Sequence, residues 1–65
     1  MPRWTVTRKG VFGPGAGGQY TYYARAESAD EAVEKTAVKA ERPHHRINRF
    51  GTELDPEPID ITRID

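Results

Sequence analysis

The sequence predicts a small α+β domain of order β-β-α-β, in which one helix packs on one face of a three-stranded antiparallel sheet. Two stretches near its start alternate apolar and polar residues, which is typical of half-buried strands. A helix-start motif and an apolar repeat of helical period follow, and a third alternating stretch comes last. A chain of 65 residues is expected to form a single domain.

The first two predicted strands cover residues 3–8 and 19–27. Trp4 and Val6 share one face of the first strand, whereas the residues between and beside them are polar. The corresponding face of the second strand carries Tyr20, Tyr22, Ala24 and Ala26. The glycine-rich residues 10–18 are expected to join the two strands as a hairpin.

A helix is predicted over residues 29–42. Ser28 and Glu31 have the spacing of a capping box, in which the serine hydroxyl accepts a hydrogen bond from the backbone N–H three residues later. Alanine and valine recur at helical spacing until Pro43 ends the pattern. Because this stripe is mostly alanine, we expect the helix to lie close to the sheet, with the bulk of the core supplied by the strand aromatics.

Residues 58–64 predict the third strand, because Ile59 and Ile61 alternate with Asp60 and Thr62. A right-handed crossover through the helix returns this strand parallel to the second one. It then pairs antiparallel with the first strand, which gives the sheet order 2-1-3. The segment between the helix and this strand has no clean period and is predicted to be a loop.

Charge is unevenly distributed, although ten basic and ten acidic residues give a net charge of zero. Residues 1–26 hold only basic charges, whereas the last part of the chain is mostly acidic. This asymmetry indicates either a nucleic-acid surface with an acidic tail or two parts that neutralise each other in the fold. In the second case, Asp60 and Asp65 should flank the strand that carries Arg3 and Arg8.

The GPGAGG stretch matches the G-x-G-x-x-G spacing of nucleotide-binding loops through Gly13, Gly15 and Gly18. A dinucleotide fold needs a helix after the last glycine, and a Walker loop needs lysine followed by serine or threonine. Here Gln19 and Tyr20 open a strand instead. The stretch also resembles the glycine-rich loop of protein kinases, but the other motifs of that family are missing. We therefore predict a mobile hairpin connector without a bound cofactor.

Neither a catalytic centre nor a metal site is predicted. Cysteine is absent, and the only serine, Ser28, serves as a helix cap. His44 and His45 are adjacent, so they point apart on any regular element and lack the spacing of a helical zinc site. We therefore expect a protein without enzymatic activity.

The stretch YYARAESADEAVEK, residues 22–35, resembles the strand-to-helix passage of HicB-type antitoxin domains, which are small, begin with a hairpin and carry a helix behind it. The resemblance covers about a fifth of the chain. The additional strand that those domains place before their helix is missing here, so we transfer no function from them.

The sheet face turned away from the helix is the main candidate for a binding surface, because it combines a tyrosine with arginines and hydroxyls. Tyrosine and arginine are frequent anchors at protein interfaces, and they also stack on single-stranded nucleic acid. The basic residues beside the glycine-rich loop and the basic HHRINR segment are separate candidates for contacts with phosphates or with a partner protein. The predicted partner-binding residues are Arg3, Thr5, Arg8, Lys9, Tyr23, Arg25, His44, His45, Arg46 and Arg49.

These observations favour a non-catalytic module that binds another protein through the open sheet face or a free strand edge, such as a bacterial or phage regulator or inhibitor. The alternative is a nucleic-acid-binding protein that uses the basic hairpin and the HHRINR segment. Because so short a chain has a thin core, a homodimer is a further alternative. The absence of cysteine and of a long apolar run leads us to expect a cytoplasmic protein without a membrane partner.

Overall fold

Six elements follow one another in the computed structural model, which describes residues 1–65. They are β1 (Arg3–Phe12), β2 (Gln19–Arg25), α1 (Ala29–Ala40), α2 (Pro43–Asn48), β3 (Glu53–Leu54) and β4 (Asp60–Arg63). The α+β class and the order of the main elements are confirmed. The prediction of a loop after Pro43 is wrong, because that segment contains α2 and the short strand β3. Neither helix is long and apolar enough to cross a bilayer.

β1 is the central strand of the sheet and has antiparallel neighbours on both sides. β2 pairs with it from Arg3, opposite Arg25, to Lys9, opposite Gln19. On the other side, β4 pairs with the first half of β1 and β3 with its second half. The order β2-β1-β3, with β4 also beside β1, confirms that the last strand pairs antiparallel with the first.

β1 continues to Phe12, beyond the predicted end at residue 8, because β3 supplies a second partner there. The register shifts between Gly10 and Phe12, which is the irregularity expected of a bulge. A Cβ atom at Gly10 would lie 2.5 Å from the carbonyl oxygen of Gly15. Only glycine therefore allows the hairpin loop to fold back onto β1 at this point.

α1 begins at the predicted capping box. The Ser28 hydroxyl accepts a hydrogen bond from the Glu31 N–H at 3.2 Å, and the Glu31 carboxylate accepts from the N–H of Glu27 at 3.1 Å. The helix ends at Ala40, two residues earlier than predicted. Pro43 then occupies the first turn of α2, where its missing N–H is not needed.

The core consists of two small clusters between α1 and the sheet. In the first, Val6 and Ala26 pack against Ala32, with Trp4 and Val33 at the margin. The second cluster contains Tyr22, Ala40 and Leu54, with Tyr20 beside them. Alanines on the helix therefore meet larger side chains on the strands, which confirms the predicted layering.

Arg49 is the largest fully buried side chain, with an exposed fraction of 2%. Its guanidinium donates to the carbonyl oxygens of Thr52 at 2.7 Å and of Ala40, and to the Tyr22 hydroxyl at 3.2 Å. It also forms a 2.7 Å ion pair with Glu41. The sequence placed Arg49 on a basic partner-binding surface. That prediction is wrong, because the side chain is buried and its guanidinium joins the ends of α1 and α2 to the sheet.

The glycine-rich loop is tied to the rest of the fold by hydrogen bonds. The Gly10 N–H donates to Gly18 at 2.9 Å, and the Gly17 N–H donates to the carbonyl oxygen of Gly10 at 2.8 Å. The N–H of Gly15 donates to the buried Thr52 hydroxyl at 2.8 Å. A Cβ atom at position 15 would collide with the Tyr20 hydroxyl, so any other residue there would require the tyrosine side chain to move. The loop therefore folds back on itself and against Thr52.

The predicted charge neutralisation between the two ends of the chain holds for one of two pairs. Arg3 and Asp65 form an ion pair at 2.8 Å, between two side chains that are both nearly half exposed. Arg8 donates to the backbone oxygen of Asp55 instead, while the carboxylate of Asp60 accepts from the Thr62 hydroxyl. Asp60 lies beside β1 opposite Thr7, as predicted, but it forms no ion pair with Arg8.

Candidate partner-binding edge

The sheet face turned away from α1 carries four of the predicted partner-binding residues. The β1–β2 register sets Arg3 opposite Arg25 and Thr5 opposite Tyr23, and the side chains of this face lie on the polar side of both strands. Hydrogen bonding to Arg25, and to a smaller extent to Arg3, lowers the pKa of the Tyr23 phenol. Tyr23 therefore shares this face of the sheet with both arginines.

β2 forms one outer edge of the sheet, and the hydrogen bonding shows which of its backbone groups face outwards. Even-numbered residues join β2 to β1, since the N–H of Ala26 donates to Pro2 and that of Gly10 to Gly18. In an antiparallel pair, the residues between these direct their N–H and C=O groups the other way. On β2, these outward-directed residues are Gln19, Thr21, Tyr23 and Arg25.

A groove of about 570 Å³ runs between this edge and the polar side of α1. Its floor and walls combine the edge residues of β2 with one stripe of the helix. The lining residues are Tyr23, Ala24, Arg25, Glu34, Lys35, Val38, Lys39 and Arg42. We call this region, together with the outward backbone groups of β2, the β2 edge groove.

Two lysines of α1 reach the edge and cover its carbonyl groups. The Lys39 ammonium donates to the carbonyl oxygen of Tyr23 at 2.8 Å and lies 5.4 Å from the centre of the Tyr23 ring. The Lys35 ammonium donates to the carbonyl oxygen of Arg25 at 2.8 Å and pairs with Glu31 at 3.4 Å. Lysines placed in this way also discourage unwanted pairing of an edge strand.

The outward N–H groups of β2 receive no such cover. No hydrogen bond joins the N–H groups of Thr21, Tyr23 or Arg25 to an acceptor outside the β1–β2 pairing. Two of the outward carbonyl oxygens, those of Tyr23 and Arg25, are therefore occupied, whereas the outward N–H groups are open. This is the arrangement that an added strand can complete.

The β2 edge groove is strongly basic. Of its charged side chains, Arg25, Lys35, Lys39 and Arg42 are cationic, and only Glu34 is anionic. Neither Arg25 nor Arg42 forms an ion pair with any acidic side chain. Val38 adds an apolar side chain that is 69% exposed.

The remaining predicted residues lie elsewhere. Lys9 is exposed opposite Gln19, near the glycine-rich loop, and does not line the groove. Arg8 is engaged with the backbone near β3. Arg46 on α2 forms ion pairs with Glu41 at 2.7 Å and with Glu53 at 3.3 Å, which raises its pKa further.

The two histidines lie side by side on α2, with ring centres 4.1 Å apart. His44 is exposed, whereas His45 lies with its ring edge against Tyr22 at 5.5 Å. Desolvation lowers the pKa of His45, and the neighbouring cations act in the same direction. His45 therefore packs on the end of the core, away from the groove.

The helical half of the groove was missed by the sequence analysis, which considered only strand residues and the basic segments. Lys35 and Lys39 are spaced by four residues, which places them on one side of α1, and Arg42 follows just beyond the end of that helix. That stripe was readable in the sequence. What the sequence did not show is that the stripe lies along the open edge of β2.

Comparison with models of protein families, with curated proteins and with solved structures finds no match for this chain. The assignment of function therefore rests on the geometry and the charge of the β2 edge groove. The groove combines open backbone donors, a ring and four cations at one edge of the sheet.

Proposed function

We propose that this protein is a non-catalytic interaction module that binds an extended segment of another protein along β2. The observation that carries the proposal is the set of outward N–H groups on Thr21, Tyr23 and Arg25, which lie without an acceptor beside an open groove. A segment that adds to the sheet as a further strand satisfies these donors with its own carbonyl groups.

The groove supplies the side-chain contacts that such a complex needs in addition to backbone pairing. Alternate residues of an added strand point to opposite faces of the sheet. One set would meet the α1 stripe that includes Val38, and the other would meet the ring of Tyr23 and the guanidinium of Arg25. Tyrosine and arginine are frequent energetic anchors in protein interfaces.

Nucleic-acid binding has less support, because most of the cations that it would use are engaged inside the protein. Such a protein needs basic side chains that are free to contact phosphates. The engaged residues are Arg3 with Asp65, Arg8 with the backbone of Asp55, Arg46 with two glutamates, and the buried Arg49. Of the cations without such a bond, Arg25 and Arg42 line the β2 edge groove, where they lie beside backbone donors.

A homodimer through β2 has less support for a different reason. Pairing of β2 with its own copy would bring two sets of Lys35, Lys39 and Arg42 to one edge. Like charges at such short distances repel each other. The strand that adds to β2 is therefore proposed to belong to a different protein and not to a second copy of this chain.

The proposal is tested by selecting peptides from a random display library on the full 65-residue chain and measuring their affinity by calorimetry. Thr21→Pro removes one outward N–H and places a ring on the edge, which edge strands tolerate. Thr21→Ala is the matched control that keeps the N–H. We expect selected peptides to bind the alanine variant as tightly as the parent. Their affinity for the proline variant should be lower by roughly tenfold or more.

Two results would overturn this function. One is a library that yields no binding peptide, and the other is a set of peptides that bind the proline variant as tightly as the parent. A labelled oligonucleotide is titrated in parallel at low salt. Tight binding that weakens steeply with added salt would instead support the nucleic-acid alternative.

A further inference from the structure

Resting on the function proposed above, we infer that the segment received by the β2 edge groove is acidic, with carboxylate side chains on alternate residues that face α1. The inference specifies the partner by its chemistry. It depends on the charge of the groove, on the spacing of its lysines and on the bonds that these lysines now make.

Charge complementarity is the first argument. The groove holds four cationic side chains and one anionic side chain, and the only ion pair that these cations form is between Lys35 and Glu31, at the loose distance of 3.4 Å. Arg25 and Arg42 have no ion-pair partner at all. The protein as a whole is neutral, so this concentration of positive charge is local. An acidic segment is attracted to it, whereas a basic one is repelled.

The spacing of the lysines is the second argument. Lys35 and Lys39 lie one helical turn apart, which separates their Cβ atoms by about 5–6 Å. Residues on the same face of a strand, two positions apart, are separated by roughly 6.6 Å. Because Lys39 contacts the carbonyl of Tyr23 and Lys35 that of Arg25, the helix already follows the strand at this spacing. Two acids on alternate residues of an added strand therefore match the two lysines.

The arrival of a strand also changes the hydrogen bonds that the two lysines make. Their ammonium groups now donate to the carbonyl oxygens of Tyr23 and Arg25, the acceptors that an incoming strand would need for its own N–H groups. The incoming backbone replaces the lysines on these oxygens and leaves two ammonium groups to be satisfied. Carboxylates on the segment accept from them, and charge-assisted bonds of this kind are stronger than those to neutral carbonyls.

The experiment compares the sequences of the selected peptides and then alters their charge. We expect enrichment of glutamate or aspartate at alternate positions. For one selected peptide, replacing these acids by glutamine or asparagine should weaken binding to the parent chain roughly tenfold, because the charged acceptors are lost while shape is kept. The affinity of the acidic peptide should also fall as salt is added.

Variants of the protein give the reciprocal measurement. The double variant Lys35→Gln, Lys39→Gln should bind the acidic peptide weakly and should no longer distinguish it from the amide peptide. Lys9→Gln is the matched control, since Lys9 is an exposed lysine outside the groove. The amide-peptide comparison uses the parent chain alone, so it remains decisive if the double variant folds poorly.

The outcomes separate the inference from the function on which it rests. Peptides that are sensitive to Thr21→Pro, but whose acids are absent or replaceable without loss of affinity, would overturn the inference and leave strand addition intact. Peptides that are insensitive to Thr21→Pro would overturn both. Acidic peptides that lose affinity when two of their alternate backbone N–H groups are methylated would support the exchange at the edge carbonyls.

Discussion

The guanidinium of Arg49 donates a hydrogen bond to the carbonyl oxygen of Ala40, the last residue of α1. The last carbonyl groups of a helix have no partner within the helix itself. Arg49 supplies a donor for this carbonyl from outside the helix. The same guanidinium also bonds to Thr52, Tyr22 and Glu41. A single cation therefore joins the end of α1 to β2 and to the turn before β3.

Replacing Arg49 by alanine should lower the free energy of unfolding by about 3–5 kcal/mol, because buried acceptors lose their donor and the small core gains a void. Arg49→Lys should lie between the alanine variant and the parent, since a single ammonium cannot bond in all these directions. Urea denaturation followed by circular dichroism measures both. Arg42→Ala, at an exposed arginine without an ion pair, is the control and should stay within about 0.5 kcal/mol. Equal midpoints for the parent and Arg49→Ala would contradict this role.

The hydroxyl of Thr52 should matter more than its methyl group. Thr52 is fully buried, and its oxygen accepts the N–H of Gly15 from the glycine-rich loop. Thr52→Val keeps the shape but leaves this N–H without an acceptor, so we expect a loss of about 1–3 kcal/mol. Thr52→Ser keeps the acceptor and should lose less. Hydrogen exchange of the Gly15 amide gives a local measurement, and protection that is unchanged in the valine variant would refute the assignment.

Because α1 lies close to the sheet, replacing its alanines by larger residues should destabilise the protein, and the size of the effect should depend on how deeply each alanine is buried. Ala32 is fully buried against Val6 and Ala26, so Ala32→Leu should overpack the contact and destabilise the protein by about 1–3 kcal/mol. Ala37 is only partly buried, so Ala37→Leu should be milder. Thermal denaturation of the two variants measures the difference. Similar stability of Ala32→Leu and the parent would show that the layers are not closely packed.

Stability should fall as the pH is lowered through the range in which histidine titrates. Desolvation holds the pKa of His45 in the folded protein below its ordinary value of 6.5, so the unfolded chain takes up the proton first. The contribution of His45 is therefore full above about pH 6.5 and is lost as the pH falls towards its folded pKa.

Urea midpoints measured between about pH 7.5 and about pH 5 test this dependence, since the lowered pKa values of Glu31 and Asp65 lie below that window. His45→Gln should flatten the decline. His44→Gln should retain most of it, because burial, the largest cause of the shift, remains. A decline of the same size in the parent and in His45→Gln would assign it to other groups.

Most of the fold was readable from the sequence because its main elements carry strong local signals. The alternation around Val6 and around Tyr22 marks two strands whose inner faces are buried. Ser28 caps the helix as its spacing with Glu31 indicates. The pairing of the last strand followed from the handedness of the crossover and from the antiparallel hairpin.

The parts that were missed depend on contacts between distant residues. β3 has only two residues, which are too few to show the alternation of a strand. It forms because Leu54 pairs with Gly10 of β1. α2 begins on the proline that ended the previous pattern. The burial of Arg49 results from acceptors supplied by three other parts of the chain, which no local pattern records. The groove was missed for the same reason, since half of it comes from the helix.

The pairing of β4 with β1 has a consequence for how the chain reaches this structure. The contact between Arg3 and Asp65 joins residues 62 positions apart, so the first half of β1 gains its second neighbour only when a very long loop closes. The entropy lost in closing it must be paid before the contacts form, which slows folding relative to helical proteins of similar size. During synthesis on the ribosome, β1 and β2 emerge early as a two-stranded ribbon, and one side of β1 stays unpaired until the later segments that form β3 and β4 have been made.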